Sequence, residues 1–261
     1  LEPALPRPRN PDVWAVLSDI HGNLEALQAV LADAHSRGVG RVICLGDLVG
    51  YGPNPGECID IIEQAADVCL MGNHDQALLY GPLSFAAAAE RSILWTKRTF
   101  EQDRDIARRN RRWRMLGNLR TRYDVGSLHF VHGSPRRPFN EYIWPEDIYT
   151  APAKMTGIFA AVSGTCLVGH THMAGIYTQT MRYIPESDSQ DGWPLGLEKA
   201  IINVGSVGQP RDRDPRACYV VIDKGHARFV RVEYDVERTV AKIHAVPELD
   251  DFLAERLFTG R

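Results

Sequence analysis

Five short apolar runs in this chain break off at a glycine or another small or apolar residue and at once present a carboxylate, an amide or an imidazole. The plainest is Val42 to Leu45, cut short by Gly46-Asp47. The others lead into Asp19-Ile20-His21, Gly72-Asn73-His74-Asp75, His132-Gly133 and Gly169-His170-Thr171-His172. A buried strand that stops in this way delivers a polar group to the rim of a sheet, on a turn open enough for other groups to approach. Each case alone is better read as a turn-capping Asp or a satisfied core His. The set resists that reading, because five of the nine histidines fall in these positions. His35, His129, His226 and His244 lack the context and are read as structural.

The rest of the pattern agrees with a sheet that gathers its strand ends. Val13 to Ser18 reads as a first strand, followed by a helix that Asn23 can cap and Gly38 can stop. Val42 to Leu45, a helix over Glu57 to Ala66 and a strand over Val68 to Met71 continue the alternation, which implies right-handed crossovers and a mainly parallel sheet. Ligands collect at the C-terminal ends of such strands. Gln76 to Asn118 then reads as a helical insertion whose second half is strongly basic. Strands resume at Ser127 to Val131, Thr165 to Val168, Ile201 to Val204, Cys218 to Asp223 and Ala227 to Tyr234, with helices over Val236 to Ala245 and Pro247 to Phe258. Residues 1–11 read as a disordered lead-in, 12–261 as one domain, and Tyr183 to Glu198 as a mobile loop.

Composition removes several classes. A net charge of -3 argues against a polyanion binder. The Arg-rich run from Arg104 to Arg122 is read as a solvated helix face paired with Glu101, Asp103 and Asp105, so a nucleic-acid partner is not expected. Five cysteines without paired spacing are no disulfide framework and point to a reducing cytoplasm. No apolar run reaches transmembrane length, so no membrane is expected.

Asp19, His21, Asp47, Asn73, His132, His170 and His172 supply mixed carboxylate, amide and imidazole ligands. That mix suits a divalent transition metal, with Mn first and Fe, Zn, Co or Ni as alternatives, better than an all-oxygen Mg or Ca site. Seven groups exceed what one ion with an open position needs and fit two ions sharing a bridging carboxylate. Such a pair attracts phosphate and brings a bridging water's ionisation near neutrality.

In order, Asp19 to His21, Gly46-Asp47, Gly72 to Asp75, His132-Gly133 and Gly169 to His172 resemble the five motifs of the calcineurin-like metallophosphoesterases. The resemblance runs from residue 13 to about residue 211. It implies an α/β fold, a four-layer αββα sandwich of two mixed sheets flanked by helices, with the 76–118 insertion near the active site. It also implies one metal on Asp19, His21, Asp47 and His172, and another on Asp47, Asn73, His132 and His170, with Asp47 as the bridge. His74 would protonate the leaving oxygen, and Asp75 would orient His74.

The departures carry information too. Where the protein phosphatase branch and the dinucleoside tetraphosphate hydrolases continue the second motif to a phosphate-gripping Arg, this chain reads Gly50-Tyr51-Gly52-Pro53, and Asp75 stands where Glu is usual. The Asp19 to Asn23 opening is similar to that of the small bacterial phosphodiesterase-like branch. Asn23 and Arg211 are the candidate substrate contacts. Arg211 ends the Asn203 to Arg211 segment, in which Gly205, Ser206 and Gly208 form a loop able to approach phosphate, and Arg suits phosphate geometry. The expected activity is metal-dependent hydrolysis of a small phosphoester or nucleotide, a phosphodiester above all. A phosphomonoesterase or nucleotide hydrolase on the same core is the alternative, and a silent scaffold a more distant one.

Overall fold

The first strand, β1 (Asn10–Leu17), starts three residues earlier than expected, so Asn10 and Pro11 belong to that strand and not to the lead-in. The computed structural model describes residues 10–261; the rest of the expected lead-in lies outside the described residues. From β1 the chain follows the anticipated alternation through α1 (Leu24–Ser36), β2 (Val39–Cys44), α2 (Pro55–Ala65) and β3 (Val68–Cys69). The three strands are parallel, with β1 paired to β2 and β2 to β3. Asn23 caps α1 by accepting from the amide of Ala26 at 3.1 Å. Pro55 opens α2, where the first turn needs no N–H.

Gln76 to Asn118 resolves into three helices, α3 (Asn73–Tyr80), α4 (Ala87–Glu101) and α5 (Ile106–Gly117). α3 begins inside the third motif itself, which puts Asn73, His74 and Asp75 in its first turn. Next come β4 (Tyr123–Val125), β5 (Leu128–Phe130), α6 (Asp147–Thr150), α7 (Pro152–Ala160) and β6 (Thr165–Val168). The strand-rich tail holds β7 (Gly175–Thr178), β8 (Arg182–Pro185), β9 (Trp193–Pro194), β10 (Ala200–Asn203), β11 (Ala217–Asp223) and β12 (His226–Val232). It closes with α8 (Val236–His244), α9 (Asp251–Glu255) and a 3₁₀ turn over Arg256–Phe258.

Tyr183 to Glu198 is not the loop its Ser, Asp, Gly and Pro content suggests. β8 extends one sheet beside β7, and β9 adds an edge to the other beside β12. Tertiary pairing here overrides weak local propensity.

The strands form two mixed sheets, ordered β3-β2-β1-β11-β12-β9 and β4-β5-β6-β10-β7-β8. Alternation along the strands sorts the core into layers. Val16, Ile43, Leu167, Ile202, Val220 and Ile222 point between the sheets. Ala15, Leu17, Tyr219 and Val221 face α1 and α2, while Cys166, Val168 and Ile201 face α6 and α7. The order is helices, sheet, sheet, helices, as the αββα expectation had it.

Part of the basic run is engaged in ion pairs. Arg111 and Arg112 of α5 both reach Asp60 of α2, Arg111 also reaches Glu63, and Arg108 holds Asp103. The partner on α2 lies about fifty residues away and was not anticipated. No helix among the described residues is long and apolar enough to cross a membrane.

Candidate metal centre

The five motifs meet at one edge of the sandwich, where strand ends of both sheets turn sharply. Asp19, His21, Asp47, His170 and His172 all adopt positive φ, between 48° and 69°. Non-glycine residues rarely do so, and the cost is borne where a side chain must be aimed. Two glycines let the turns approach. A Cβ on Gly72 would lie 2.1 Å from Oδ1 of Asp47, and one on Gly169 would lie 2.4 Å from Oδ2 of Asp19. The backbone then locks the carboxylates: His74 N donates to Asp47 at 2.8 Å, and His170 N donates to Asp19 at 3.0 Å across the two sheets.

Two groups of ligand atoms result, both buried. Asp19, His21, Asp47 and His172 form one, and Asp47, His132 and His170 the other. Asn73 joins the second group, its Oδ1 lying 3.0 Å from Nε2 of His132. Asp47 belongs to both. All seven residues singled out from the sequence as metal ligands are thus brought together.

The protons show what this cluster is built for. Nδ1 of His21 faces the carbonyl of Val49 at 2.9 Å, and Nδ1 of His172 faces the carbonyl of Gln209 at 2.5 Å. A carbonyl only accepts, so each ring's proton is assigned to Nδ1. Burial, the largest influence on both rings, drives their pKa values well below the ordinary histidine value and keeps them neutral. Their Nε2 lone pairs then point at each other across 3.1 Å, with Oδ1 of Asp19 3.3 Å from that of His172. Converging lone pairs and carboxylates repel unless a cation lies between them.

In the second group, burial opposes the imidazolium of His132, but Asp47 outweighs it and raises the pKa to about 9. Burial pushes His170 the other way, to about 3. Nδ1 of His132 and Nε2 of His170 are buried without a hydrogen-bond partner. The residues present therefore fit divalent cations in both groups.

His74 stands beside the cluster and makes no side-chain hydrogen bond at its buried Nδ1. Its ring is caged by aromatics instead: Tyr51 at 4.6 Å, His21 at 4.7 Å and Phe85 edge-on at 5.0 Å between centroids. Burial is the main reason its pKa falls to about 4.

Asp75 does not orient His74, contrary to expectation. Its carboxylate accepts from the amides of Asp47 at 2.8 Å, Leu48 at 2.9 Å and Gly72 at 3.0 Å. It ties the turn that aims Asp47, and its hydrogen bonds go to these three amides rather than to the His74 ring. Burial, then the charge of Asp47, raises its pKa to about 7.

Asn23 is also reassigned. Its Oδ1 accepts from Ala26 N and from the hydroxyl of Thr239, and its Nδ2 donates to Gly208 O at 2.9 Å. The side chain is buried and does not line the cleft beside the metal ligands, which leaves it a structural role. Arg211, by contrast, lines a cleft of about 780 Å³ together with Asn73, His74, His170 and Tyr142.

The same cleft reveals residues that the sequence hid. Tyr142 stacks on His170 at 3.8 Å between centroids. It lies in the aromatic stretch 139–149, whose composition was the one available sign. Arg256 reaches the cleft from the 3₁₀ turn near the chain's end, where no local motif marks it. The first half of the insertion, including Gln76, Tyr80 and Phe85, forms a wall.

With this geometry in view, the comparison with known proteins is direct. The family model for calcineurin-like phosphoesterase matches residues 14–174. The chain belongs to that family. Among calcineurin-like phosphoesterases and related folds, a metallophosphoesterase from Sphaerobacter thermophilus has a crystal structure that matches 97% of this chain and 100% of its own, at 33% identity and a TM-score of 0.79. The uncharacterized protein MJ0912 of Methanocaldococcus jannaschii is 36% identical over 95% of this chain and 98% of its own length. The hypothetical protein PH1004 of Pyrococcus horikoshii OT3 shares the fold at 19% identity, with a TM-score of 0.72 over 95% of this chain and 98% of its own.

Proposed function

We propose that this calcineurin-like phosphoesterase hydrolyses small phosphoesters, phosphodiesters foremost, with two divalent transition-metal ions, Mn²⁺ first among the candidates. Asp19, His21, Asp47 and His172 would hold one ion, and Asp47, Asn73, His132 and His170 the other. The observation that carries this reading is the sharing of Asp47 between two convergent donor groups beside an open cleft. When bound, such ions polarise phosphoryl oxygens and bring the ionisation of water near neutrality.

The chain's own residues supply the rest. Nδ1 of His74 is buried, and a Cβ on Gly50 would lie 2.2 Å from it, so Nε2 is the nitrogen left for the leaving oxygen. The ring is neutral in the free cleft, and an arriving anionic phosphate favours its protonated form. Proton donor and substrate are thereby matched, and His74 gives its proton to the departing alkoxide. Asp75 acts at one remove, by fixing the Asp47 turn. Tyr51 and Phe85 hold the His74 ring in place of a hydrogen-bonded carboxylate.

Arg108, Arg111 and Arg112 of α5 are engaged with Asp103, Asp60 and Glu63, which supports a small-molecule substrate over nucleic acid. Five free thiols favour a reducing compartment, the cytoplasm. With all the candidate ligands and His74 in place, a silent scaffold is the weaker reading. A phosphomonoesterase has one observation in its favour, the second cleft cation Arg256, since a dianion asks for more positive charge than a diester. The test compares an aryl phosphodiester with the matching monoester, using one leaving group, one metal and one pH. We expect the higher kcat/KM for the diester with Mn²⁺. A consistent preference for the monoester across several metals sinks the diesterase reading.

A further inference from the structure

Beyond the metal ligands, the cleft holds two arginines that pair with no acidic side chain among the described residues. Arg211 and Arg256 are both half-buried and both line it. Among the described residues, the guanidinium of Arg211 bonds Oε1 of Gln209 at 2.8 Å and the Tyr51 hydroxyl at 3.4 Å. Arg256 donates to the main-chain oxygen of Arg261 and lies over the Phe252 ring at 5.1 Å. Neither enters an ion pair with an acidic side chain, although Arg108, Arg111, Arg112, Arg136, Arg216 and Arg231 all do. Burial, and next the charge of Arg211, brings the Arg256 pKa down to about 10, so the two guanidinium groups are close enough to repel each other.

The two segments are fastened to each other. Arg213 N donates to Gly260 O at 2.8 Å, which joins the loop after the His172 motif to the end of the C-terminal turn. The tail is seated by Val240, Ile243, Leu253 and Leu257, against which Tyr51 packs. Tyr51 in turn touches Arg211 on one side and His74 on the other. The cations therefore sit on the Tyr51 side of His74, whereas Phe85 and the apolar wall are in contact with its ring independently. The metal ligands and His74 already account for one phosphoryl group, which leaves this pair of charges without an occupant.

We propose that Arg211 and Arg256 form a second anion-binding subsite beside the metal centre, and that it takes a further phosphoryl group carried by the substrate. The preferred substrates are then phosphoesters or phosphoanhydrides with two neighbouring phosphoryl groups, one at the metals and one on the guanidinium pair, whose planar forks match phosphate oxygens. This deepens the hydrolase reading and rests on it for the scissile group, and it makes Arg256 a specificity-determining residue outside the motifs.

The test titrates inorganic phosphate and inorganic pyrophosphate into the full chain by calorimetry, with its metals and after chelation. Wild type should bind pyrophosphate about tenfold or more tighter than phosphate with its metals in place, and the margin should shrink after chelation, which removes the site for the first phosphoryl group. Arg256→Gln should remove most of that margin, Arg256→Lys should keep part of it, and Arg211→Gln should repeat the loss by an independent route. Circular dichroism confirms that each variant is folded. An unchanged margin in folded Arg256→Gln and Arg211→Gln overturns the subsite. Equal losses for phosphate and pyrophosphate also overturn it, because the arginines would then serve the first phosphoryl group alone. Absence of phosphoester hydrolysis by the reloaded wild type would instead remove the hydrolase reading, and the pyrophosphate margin would still decide the subsite.

Discussion

Asp47 and His74 lie side by side in the site yet depend on different physics, and substitution separates them. Asp47 is buried against its own ionisation, but the imidazoles of His132, His74 and His21 more than compensate and hold its pKa well below the ordinary value. It is also the one carboxylate common to both donor groups. Asp47→Ala should therefore lose both ions together, as read by elemental analysis. Retention of one ion at full occupancy contradicts the shared role. His74 belongs to neither group, so His74→Asn should keep its metals while losing on the order of 10²–10⁴ in rate. The deficit should narrow with a nitrophenolate leaving group, which needs no proton. Loss of metal from His74→Asn would instead place this residue among the ligands. Both residues could be picked out by motif. The role of Asp75 could not, since a sequence does not say which backbone amides a carboxylate will meet.

The helical insertion shows how one element pair can be fastened far from its sequence neighbours. α5 docks on α2 through Asp60, whose carboxylate faces Arg111 and Arg112. Burial alone would raise the Asp60 pKa, but the hydrogen bonds from Arg112 and Arg111 outweigh it, and the net shift is downward. A carboxylate with a depressed folded pKa stabilises the fold above its unfolded value, about 3.9, and that contribution disappears as pH falls through the lower folded value. Asp60→Asn should accordingly cost up to about 1 kcal/mol at pH 7 and nothing measurable near pH 2, the upper figure being that of exposed pairs. Chemical denaturation at the two pH values reads the difference. An equal cost at both would mean that packing rather than charge is lost. The basic run itself was evident in the sequence, and its mates on α5's own side, Asp103 and Asp105, were anticipated. Asp60 was not, because i to i+4 reasoning does not extend across an interhelical contact.

At the level of the whole molecule, the site exists because two sheets abut. Asp19 leaves β1 in one sheet, His170 leaves β6 in the other, and Gly169 is a point of close approach between them. A methyl group there would stand 2.1 Å from Oγ of Ser18 and 2.4 Å from Oδ2 of Asp19. Gly169→Ala should lower stability by about 1–3 kcal/mol and reduce metal content in the same variant, because relieving the clash separates the sheets at the ligands. A thermal melt paired with elemental analysis checks this. Normal metal content would show that the sheets can part without disturbing the centre. The seven candidate ligands, the first parallel β-α-β-α-β unit and the αββα layering all followed from local grammar or family resemblance. An apolar run, its small-residue break and a polar group adjoin in the chain, so the sequence displays them together. The committed state of Asn23, the strands β7, β8 and β9, and the arrival of Tyr142 and Arg256 at the cleft did not follow. Those features depend on partners brought in from distant segments, Thr239 and Gly208 for Asn23 and the C-terminal cluster for Arg256, and proximity of that kind arises only once the core has packed.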